Sequence, residues 1–161
     1  MAAAPDRQHI VDVTLDEGSV VRWNPEIDHE RKIAIYDLLQ DNRFAPVGDY
    51  EGPYAVHLSV QENRLIFDIS AAEGSTTLGR VALPLSGLRR VIKDYFTVCD
   101  SYFTAIKSAR PGQIEALDMG RRGLHTEGSE ILKDRLVGKI DIDIETARRL
   151  FTLICVLHLR V

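Results

Sequence analysis

The C-terminal segment from Asp143 to Val161 reads DIETARRLFTLICVLHLRV. From Leu150 onward only Thr152, His158 and Arg160 are not apolar, and at helical spacing the apolar residues cover every face. A helix that is apolar all round is buried, and this apolar run is shorter than the about 20 residues that cross a bilayer. The segment therefore predicts a central helix, covered by other elements or by a second copy of the chain.

Alternation of apolar and polar residues predicts a small sheet. It occurs in residues 9–15, in 54–60 and 65–69 on either side of a turn at Gln61, Glu62 and Asn63, and in 76–83 after a Gly74-Ser75 turn. A period of two is typical of strands with one buried and one wet face. These segments predict a three-stranded meander that residues 9–15 can join. Residues 139–142 predict a further short strand, residues 20–21 a short edge, and residues 43–53 a loop.

Start signals and helical spacing predict the helices. Asn24 followed by Pro25 begins a helix that ends near Gln40. Ser86 or Gly87 begins another, which ends near Ser108. Its apolar stripe contains four aromatic residues, which predict either packing against the sheet or the lining of a pocket. These four are Tyr95, Phe96, Tyr102 and Phe103.

Glycines divide the next segment. We expect a short helix from Ile114 to Met119 and a loop at residues 120–123. A further helix should begin at Glu127 or Ser129 and end at Gly138. Asp143 is expected to cap the final helix. The predicted fold is α+β, with a small, mostly antiparallel sheet of three to five strands packed against helices and a buried C-terminal helix. Residues 1–161 are expected to form a single domain, with residues 1–8 as a loose N-terminus.

Composition predicts a cytoplasmic protein. The 161 residues are 45% hydrophobic and 27% charged, which suffices for a core and is too apolar for a disordered chain. Residues 1–5 lack the basic and apolar regions of a signal peptide. Cys99 and Cys155 lie on apolar helix faces and are expected to be buried, reduced thiols. We expect no contact with a membrane.

The charge is unevenly distributed. The net charge is −4, but residues 1–85 contain 7 Lys and Arg against 14 Asp and Glu, whereas residues 86–161 contain 13 against 10. Affinity for nucleic acid requires clustered positive charge, so nucleic acid is not the expected partner of the whole chain. The distribution favours two halves that neutralise each other; a local basic site in the second half is the alternative.

Several chemical motifs fail on their spacing. His29-Glu30 would need a second histidine at Ile33, and the His125–Glu127 motif would need a Pro-Cys-x-x-Cys that Cys155 does not supply. The acids of 141–145 lack the glycine and the glutamate of a calcium loop. We therefore predict no metal site, no cofactor and no catalytic residue, and the sequence favours a protein that is not an enzyme.

One segment remains as a candidate site for an anion or a partner. Glycines let backbone N–H groups converge, guanidinium groups match phosphate and carboxylate oxygens, and a helix start adds partial positive charge. The Gly-x-x-Gly spacing is also similar to the loop with which K-homology domains clamp an RNA backbone; a solvent-exposed turn with paired arginines is the simpler alternative. The candidate residues are Gly120, Arg121, Arg122, Gly123, His125 and Ser129.

Two function classes follow. The first is a non-enzymatic protein-interaction or regulatory module, which binds another protein or forms a homodimer. The second is a binder of, or an enzyme acting on, a small phosphorylated or carboxylated ligand, or a binder of an RNA backbone, through the Gly-Arg-Arg-Gly turn.

Five stretches of the chain are similar, as a set, to an uncharacterised family of short bacterial cytoplasmic proteins. The resemblance extends over nearly the whole chain but contains no catalytic motif. It implies a compact fold and no assigned activity, cofactor or site residue. The stretches are His9–Glu17, His29–Leu39, Gly52–Ile69, Ser86–Leu136 and Ile142–His158.

Overall fold

The computed structural model describes residues 7–16, 25–48, 50–73 and 76–158. Over these ranges the order of elements is β1 (Ile10–Leu15), α1 (Pro25–Gln40), β2 (Phe44–Pro46), β3 (Tyr54–Gln61), β4 (Arg64–Ala71), β5 (Thr77–Pro84), α2 (Arg89–Ala105), α3 (Pro111–Arg135), β6 (Ile140–Ile142) and α4 (Ile144–His158). The fold is α+β, as predicted. The predicted short edge at residues 20–21, the Asn24 cap, the Gly74-Ser75 turn and residues 1–6 lie outside the described residues.

The main sheet has the strand order β1-β3-β4-β5. β1 runs parallel to β3, and the other two pairs are antiparallel. The β3–β4 turn is formed by Glu62 and Asn63, with φ angles of 50° and 63°. Two left-handed residues match the twist of the paired strands, and asparagine tolerates this conformation. The meander predicted from alternation is confirmed, and residues 9–15 join it through a parallel pairing.

A second sheet contains β2 and β6, which pair antiparallel from Phe44 opposite Ile142 to Pro46 opposite Ile140. The prediction that residues 43–53 are entirely loop was therefore wrong at 44–46, and residues 140–142 do not extend the main sheet. Three residues that end in proline show no alternation, so the strand has no sequence signal. Its position depends on tertiary contacts: Phe44 is fully buried, and its N–H donates to the carbonyl of Gln8 at 2.8 Å.

α4 is the central helix that the C-terminal sequence predicts. It packs against β3 on the sheet and is covered by α1 and α3. Its apolar residues from 150 to 157 are at most 3% exposed. Burial of each Leu, Ile or Phe side chain stabilises the fold by about 1.5–3 kcal/mol. The carboxylate of Asp143 accepts a hydrogen bond from the Thr146 N–H at 2.9 Å, so Asp143 caps this helix as expected.

The prediction for α3 was wrong. The chain forms one helix of 25 residues from Pro111 to Arg135, and the expected loop at 120–123 is helical. Each interior glycine costs about 1 kcal/mol relative to alanine, and local propensity therefore argued for a break. Tertiary packing outweighs this cost, because Leu132 is fully buried in the core. Asp118 also forms ion pairs with Arg121 and Arg122 across the glycine-containing turns.

Ser129, predicted to begin a helix, lies in the helix interior. It is fully buried, and its hydroxyl donates to the carbonyl of His125 one turn earlier at 2.7 Å. Its neighbour Gly128 is required by close packing: a Cβ there would lie 2.2 Å from Cζ of Phe151 on α4. No glycine loop and no helix N-terminus therefore exist at 120–123, and the likeness to an RNA-clamping loop was wrong.

α2 begins later than predicted. Leu88 rather than Ser86 or Gly87 is its N-cap, and the helix ends at Ala105 before a turn that includes Ser108. The residues predicted to form the first helical turn instead form a separate turn. In it, the N–H groups of residues 88 and 89 donate to the Leu85 carbonyl. No helix within the described ranges is long and apolar enough to span a membrane.

Candidate functional site

A cleft of about 640 Å³ opens between α1, α3 and α4, with one residue of α2 at its inner side. Because α4 packs against both α1 and α3, it forms the floor of the cleft, and the other two helices form its walls. The polar lining is Glu30, Asp37, Arg121, Arg122, His125, Thr126, Arg148, Arg149 and Thr152. The apolar lining is Ile33, Ala34 and Tyr95.

Polar contacts join the three helices that form the cleft. Arg121 of α3 lies 4.0 Å from the carboxylate of Glu30 on α1. Eleven residues further along the chain, the Asp41 carbonyl accepts a hydrogen bond of 3.1 Å from Arg149 of α4. The lining residues of α1 extend from Glu30 to Asp37, which at 1.5 Å per helical residue is about 10 Å. The cleft is therefore long enough for a small organic molecule.

Arg121 has a structural role in the wall. Its guanidinium pairs with Asp118, lies within 4.0 Å of Glu30 and stacks over the ring of Tyr102, with 4.9 Å from Cζ to the ring centroid. Its side chain is 24% exposed. These contacts hold the guanidinium in place and offset its charge.

The other three arginines of the cleft lining are more accessible to a ligand than Arg121. Arg122 shares Asp118 at 3.0 Å, but its side chain is 75% exposed. Arg148 donates to the hydroxyl of Thr126 at 3.2 Å and lies 3.8 Å from Glu145. Arg149 donates to a backbone carbonyl, and among the described residues no carboxylate oxygen lies within 4.0 Å of its guanidinium. Four of the lining residues are arginines and two, Glu30 and Asp37, are carboxylates, but Asp118 and Glu145 also pair with three of the arginines. Among the described residues, Arg149 is therefore the cleft arginine whose charge no carboxylate offsets.

His125 lies between these arginines as a neutral imidazole. Burial, followed by the positive charges of Arg148 and Arg121, lowers its pKa to about 4. Its Nε2 lies 2.8 Å from the hydroxyl of Thr152, which also lies 3.3 Å from the Arg148 carbonyl. The neutral imidazole and the hydroxyl therefore share a hydrogen bond whose donor is set by the imidazole tautomer.

The residues proposed from sequence divide into two groups. Arg121, Arg122 and His125 line the cleft. Gly120 and Gly123 are exposed residues inside a helix. Among described atoms outside the helix backbone, only Val98 Cγ1 lies within 4 Å of a Cβ built on Gly120, at 3.8 Å, and none lies that close to a Cβ built on Gly123. Ser129 is buried, so the structure places it outside the cleft.

Sequence reasoning missed the contribution of α4. Arg148, Arg149 and Thr152 line the cleft floor, and the first two come from adjacent positions at the start of the most apolar helix. A signal was present, because Arg148 and Arg149 come directly before the apolar run that begins at Leu150, and Thr152 lies within that run. No pattern in the sequence indicates that Arg148 and Thr152 contact residues 125 and 126 of α3.

The aromatic stripe of α2 is partly core and partly cleft. Tyr95 is 4% exposed and also lines the cleft, where its ring lies 5.5 Å from that of His125. Phe96 and Phe103 pack partly buried against the core, and Tyr102 carries Arg121 on its face.

Neither cysteine is suited to nucleophilic chemistry. Burial raises the pKa of the Cys99 thiol to about 11, and burial raises the pKa of Cys155 well above its usual value. The thiolate is the reactive form, so both groups are inert near pH 7. Over the described ranges, no three His, Cys, Asp or Glu side chains are grouped to hold a metal ion.

A model of the uncharacterised protein family UPF0262 matches residues 7–160. The chain belongs to this family.

It is 56% identical to a UPF0262 protein of Paramagnetospirillum magneticum over 97% of this chain and 99% of the relative. A UPF0262 protein of Azorhizobium caulinodans is 55% identical, with 98% of both chains covered. One from Rhodospirillum rubrum is 56% identical over 96% of this chain and 95% of the relative. No solved structure matches the chain. The resemblance inferred from sequence is confirmed.

Proposed function

We propose that this UPF0262 protein binds a small phosphorylated or carboxylated ligand in the cleft between α1, α3 and α4. One observation carries the proposal: Arg122 of α3 and Arg148 and Arg149 of α4 line the same cavity. A guanidinium group presents a planar fork of donors that matches two oxygens of a carboxylate or phosphate. Arginines from two different helices can therefore hold one anionic group from two sides.

The charge pattern supports an anionic ligand. Arg149 has no carboxylate partner among the described residues, so an incoming anion would not need to displace one. Desolvation in a cleft strengthens such a pairing relative to one on an open surface. The helix N-terminus and the glycine loop, from which the sequence argument began, contribute nothing, and the proposal rests on side chains alone.

We favour a protein that binds the anion over an enzyme that acts on it. A base works best when its pKa lies near the working pH, and His125, with a pKa of about 4, is a weak base at neutral pH. The hydroxyls of Thr126 and Thr152 are both engaged in hydrogen bonds, and the thiol of Cys99 is protonated. These features support a receptor for an anion rather than an enzyme.

A protein partner is the second candidate. Ile33 and Tyr36 of α1 are 45% and 64% exposed, and Ile33 borders the cleft. Exposed apolar side chains beside arginines are common at contact surfaces. A second copy of the chain would make the protein a homodimer. Light scattering across a concentration series tests this: a constant monomer mass for the wild type and for Tyr36→Ser would exclude self-association through α1.

A thermal-shift panel of phosphate, nucleotides, sugar phosphates and carboxylic acids tests ligand binding. A ligand present at ten times its Kd stabilises the folded state by about 1.4 kcal/mol. For a chain of this length that raises the Tm by roughly 3–6 °C. The double variant Arg148→Gln with Arg149→Gln should lose the shift, whereas Arg64→Gln, an exposed arginine on β4, should keep it. The proposal fails if no anion raises the Tm, or if the double variant responds like the wild type.

A further inference from the structure

The cleft has an apolar side as well as a charged one. Ile33 borders it with 45% of its surface exposed, and the adjacent Ala34 belongs to the same lining. A single exposed isoleucine on a surface helix is ordinary. This one borders the same cavity as Arg148 and Arg149, so a molecule that reaches those arginines also meets apolar surface on α1.

The inner lining adds aromatic surface. The rings of Tyr95 and His125 lie 5.5 Å apart, and each packs on Phe151, at 6.0 Å and 5.2 Å between centroids. Both Tyr95 and His125 line the cleft. Because the imidazole is neutral, it contributes an aromatic ring rather than a fifth positive charge at this position.

The cavity is too large for an anionic group alone. One water molecule occupies about 30 Å³, and an inorganic phosphate with five heavy atoms roughly 100–150 Å³ on that scale. The cleft measures about 640 Å³, which lies within the range of roughly 300–1,000 Å³ of sites for organic ligands. A ligand that fills it therefore carries a substantial body beside its charge.

We infer that the ligand is an amphiphilic organic anion. Its carboxylate or phosphate monoester group lies on Arg148 and Arg149, and an apolar body of several carbons lies against Ile33 and the small exposed parts of Ala34 and Tyr95, which are 6% and 4% exposed. The inference rests on the proposed function and specifies the chemical class of its ligand. Charge complementarity fixes the head group, and the apolar wall fixes the body.

Calorimetric titration with a homologous series tests the inference. The probes are butanoate, hexanoate and octanoate at one ionic strength, below their micelle concentrations, with octyl glucoside as an uncharged amphiphile. Full burial of a methylene strengthens binding about fourfold. With two- to fourfold per methylene, octanoate should bind about 15- to 250-fold more tightly than butanoate, and octyl glucoside should not bind measurably.

Two variants locate the effect. Ile33→Ser should reduce the gain from butanoate to octanoate by at least threefold. Val137→Ser removes an apolar side chain that is 72% exposed and does not belong to the cleft lining, and should leave the gain unchanged. Equal losses in both variants would indicate non-specific adsorption and overturn the inference.

The outcomes separate this inference from the proposed function. If phosphate or butanoate binds and chain length has no effect, the amphiphilic ligand is excluded while anion binding stands. If no anion binds, and the Arg148→Gln with Arg149→Gln variant behaves like the wild type, both fail. If Ile33→Ser changes only the mass of the ligand-free protein in solution, that isoleucine contacts a second copy, and the inference is overturned.

Discussion

Two glycines of α3 provide a paired test of the fold where sequence and structure disagree. Gly128 faces α4, and an added Cβ would lie 2.2 Å from Cζ and 2.3 Å from Cε1 of Phe151. Gly123 lies 5 residues earlier in the same helix, and a Cβ there would meet no described atom outside the helix backbone within 4 Å. Alanine substitutions at the two positions should therefore have opposite effects on the free energy of unfolding.

The magnitudes follow from packing and propensity. Gly128→Ala requires the Phe151 ring to move by more than 1 Å from a fully buried position, where it packs on both Tyr95 and His125. Such overpacking costs typically about 1–3 kcal/mol, and this contact lies at the upper end. The helix propensity of alanine offsets about 1 kcal/mol, which leaves a net loss of about 2 kcal/mol. Gly123→Ala lacks the clash and should gain about 0.5–1 kcal/mol.

Urea unfolding followed by circular dichroism measures both variants against the wild type. With an m-value of about 2 kcal/mol/M, the two midpoints should differ by about 1–2 M urea. A loss of more than 1 kcal/mol in Gly123→Ala would show that residue 123 is not helical, as the original loop prediction held. A neutral or stabilising Gly128→Ala would refute the close packing of α3 on α4.

Three further predictions concern single residues. The pKa of His125 falls from 6.5 in the unfolded chain to about 4 in the folded protein. The free energy of unfolding should therefore decrease by up to about 3 kcal/mol as the pH falls from 6.5 to 4, because the unfolded state binds the extra proton. Urea titrations at pH 7, 5 and 4 measure this decrease, which should be absent in His125→Asn. Cys99 and Cys155 should not react with a thiol-specific disulfide reagent at pH 8 until the protein is unfolded, since both are buried and protonated; stoichiometric labelling of the native protein would contradict their burial. Asp143→Ala should cost about 1 kcal/mol through loss of the bond to the Thr146 N–H, whereas Asp143→Asn should retain most of the stability, and equal midpoints for all three proteins would refute the cap.

The sequence predicted the elements whose signals are periodic and long. α4 was recognisable because its apolar residues cover every face, and the β3–β4 hairpin because alternation and Asn63 agree. β2 was not recognisable, since three residues that include Pro46 form a strand only where β6 pairs with them. The error in α3 has a related origin: glycine preferences are local, whereas the packing of Leu132 and the approach of Phe151 to Gly128 are tertiary.

The candidate site was half predictable. Arg121, Arg122 and His125 were selected for the wrong reason, as a loop before a helix, yet they line the cleft because the helix places residues 121, 122 and 125 on one face. Arg148 and Arg149 could be seen directly before the apolar run that begins at Leu150, but the contact of Arg148 with α3 depends on how two helices pack. His125 and Thr152 are 27 residues apart in the chain. Local sequence patterns therefore do not show that they lie in the same site.

The most direct test of anion binding in the cleft is a titration with inorganic phosphate at constant ionic strength, followed through the Nε–Hε resonances of arginine side chains by nuclear magnetic resonance. The resonances of Arg148 and Arg149 should shift together and saturate, while those of Arg64 and of Arg80, which pairs with Asp68 at 2.7 Å, should stay in place. Shifts of equal size at all four arginines, or no saturable shift at Arg148 and Arg149, would contradict the account.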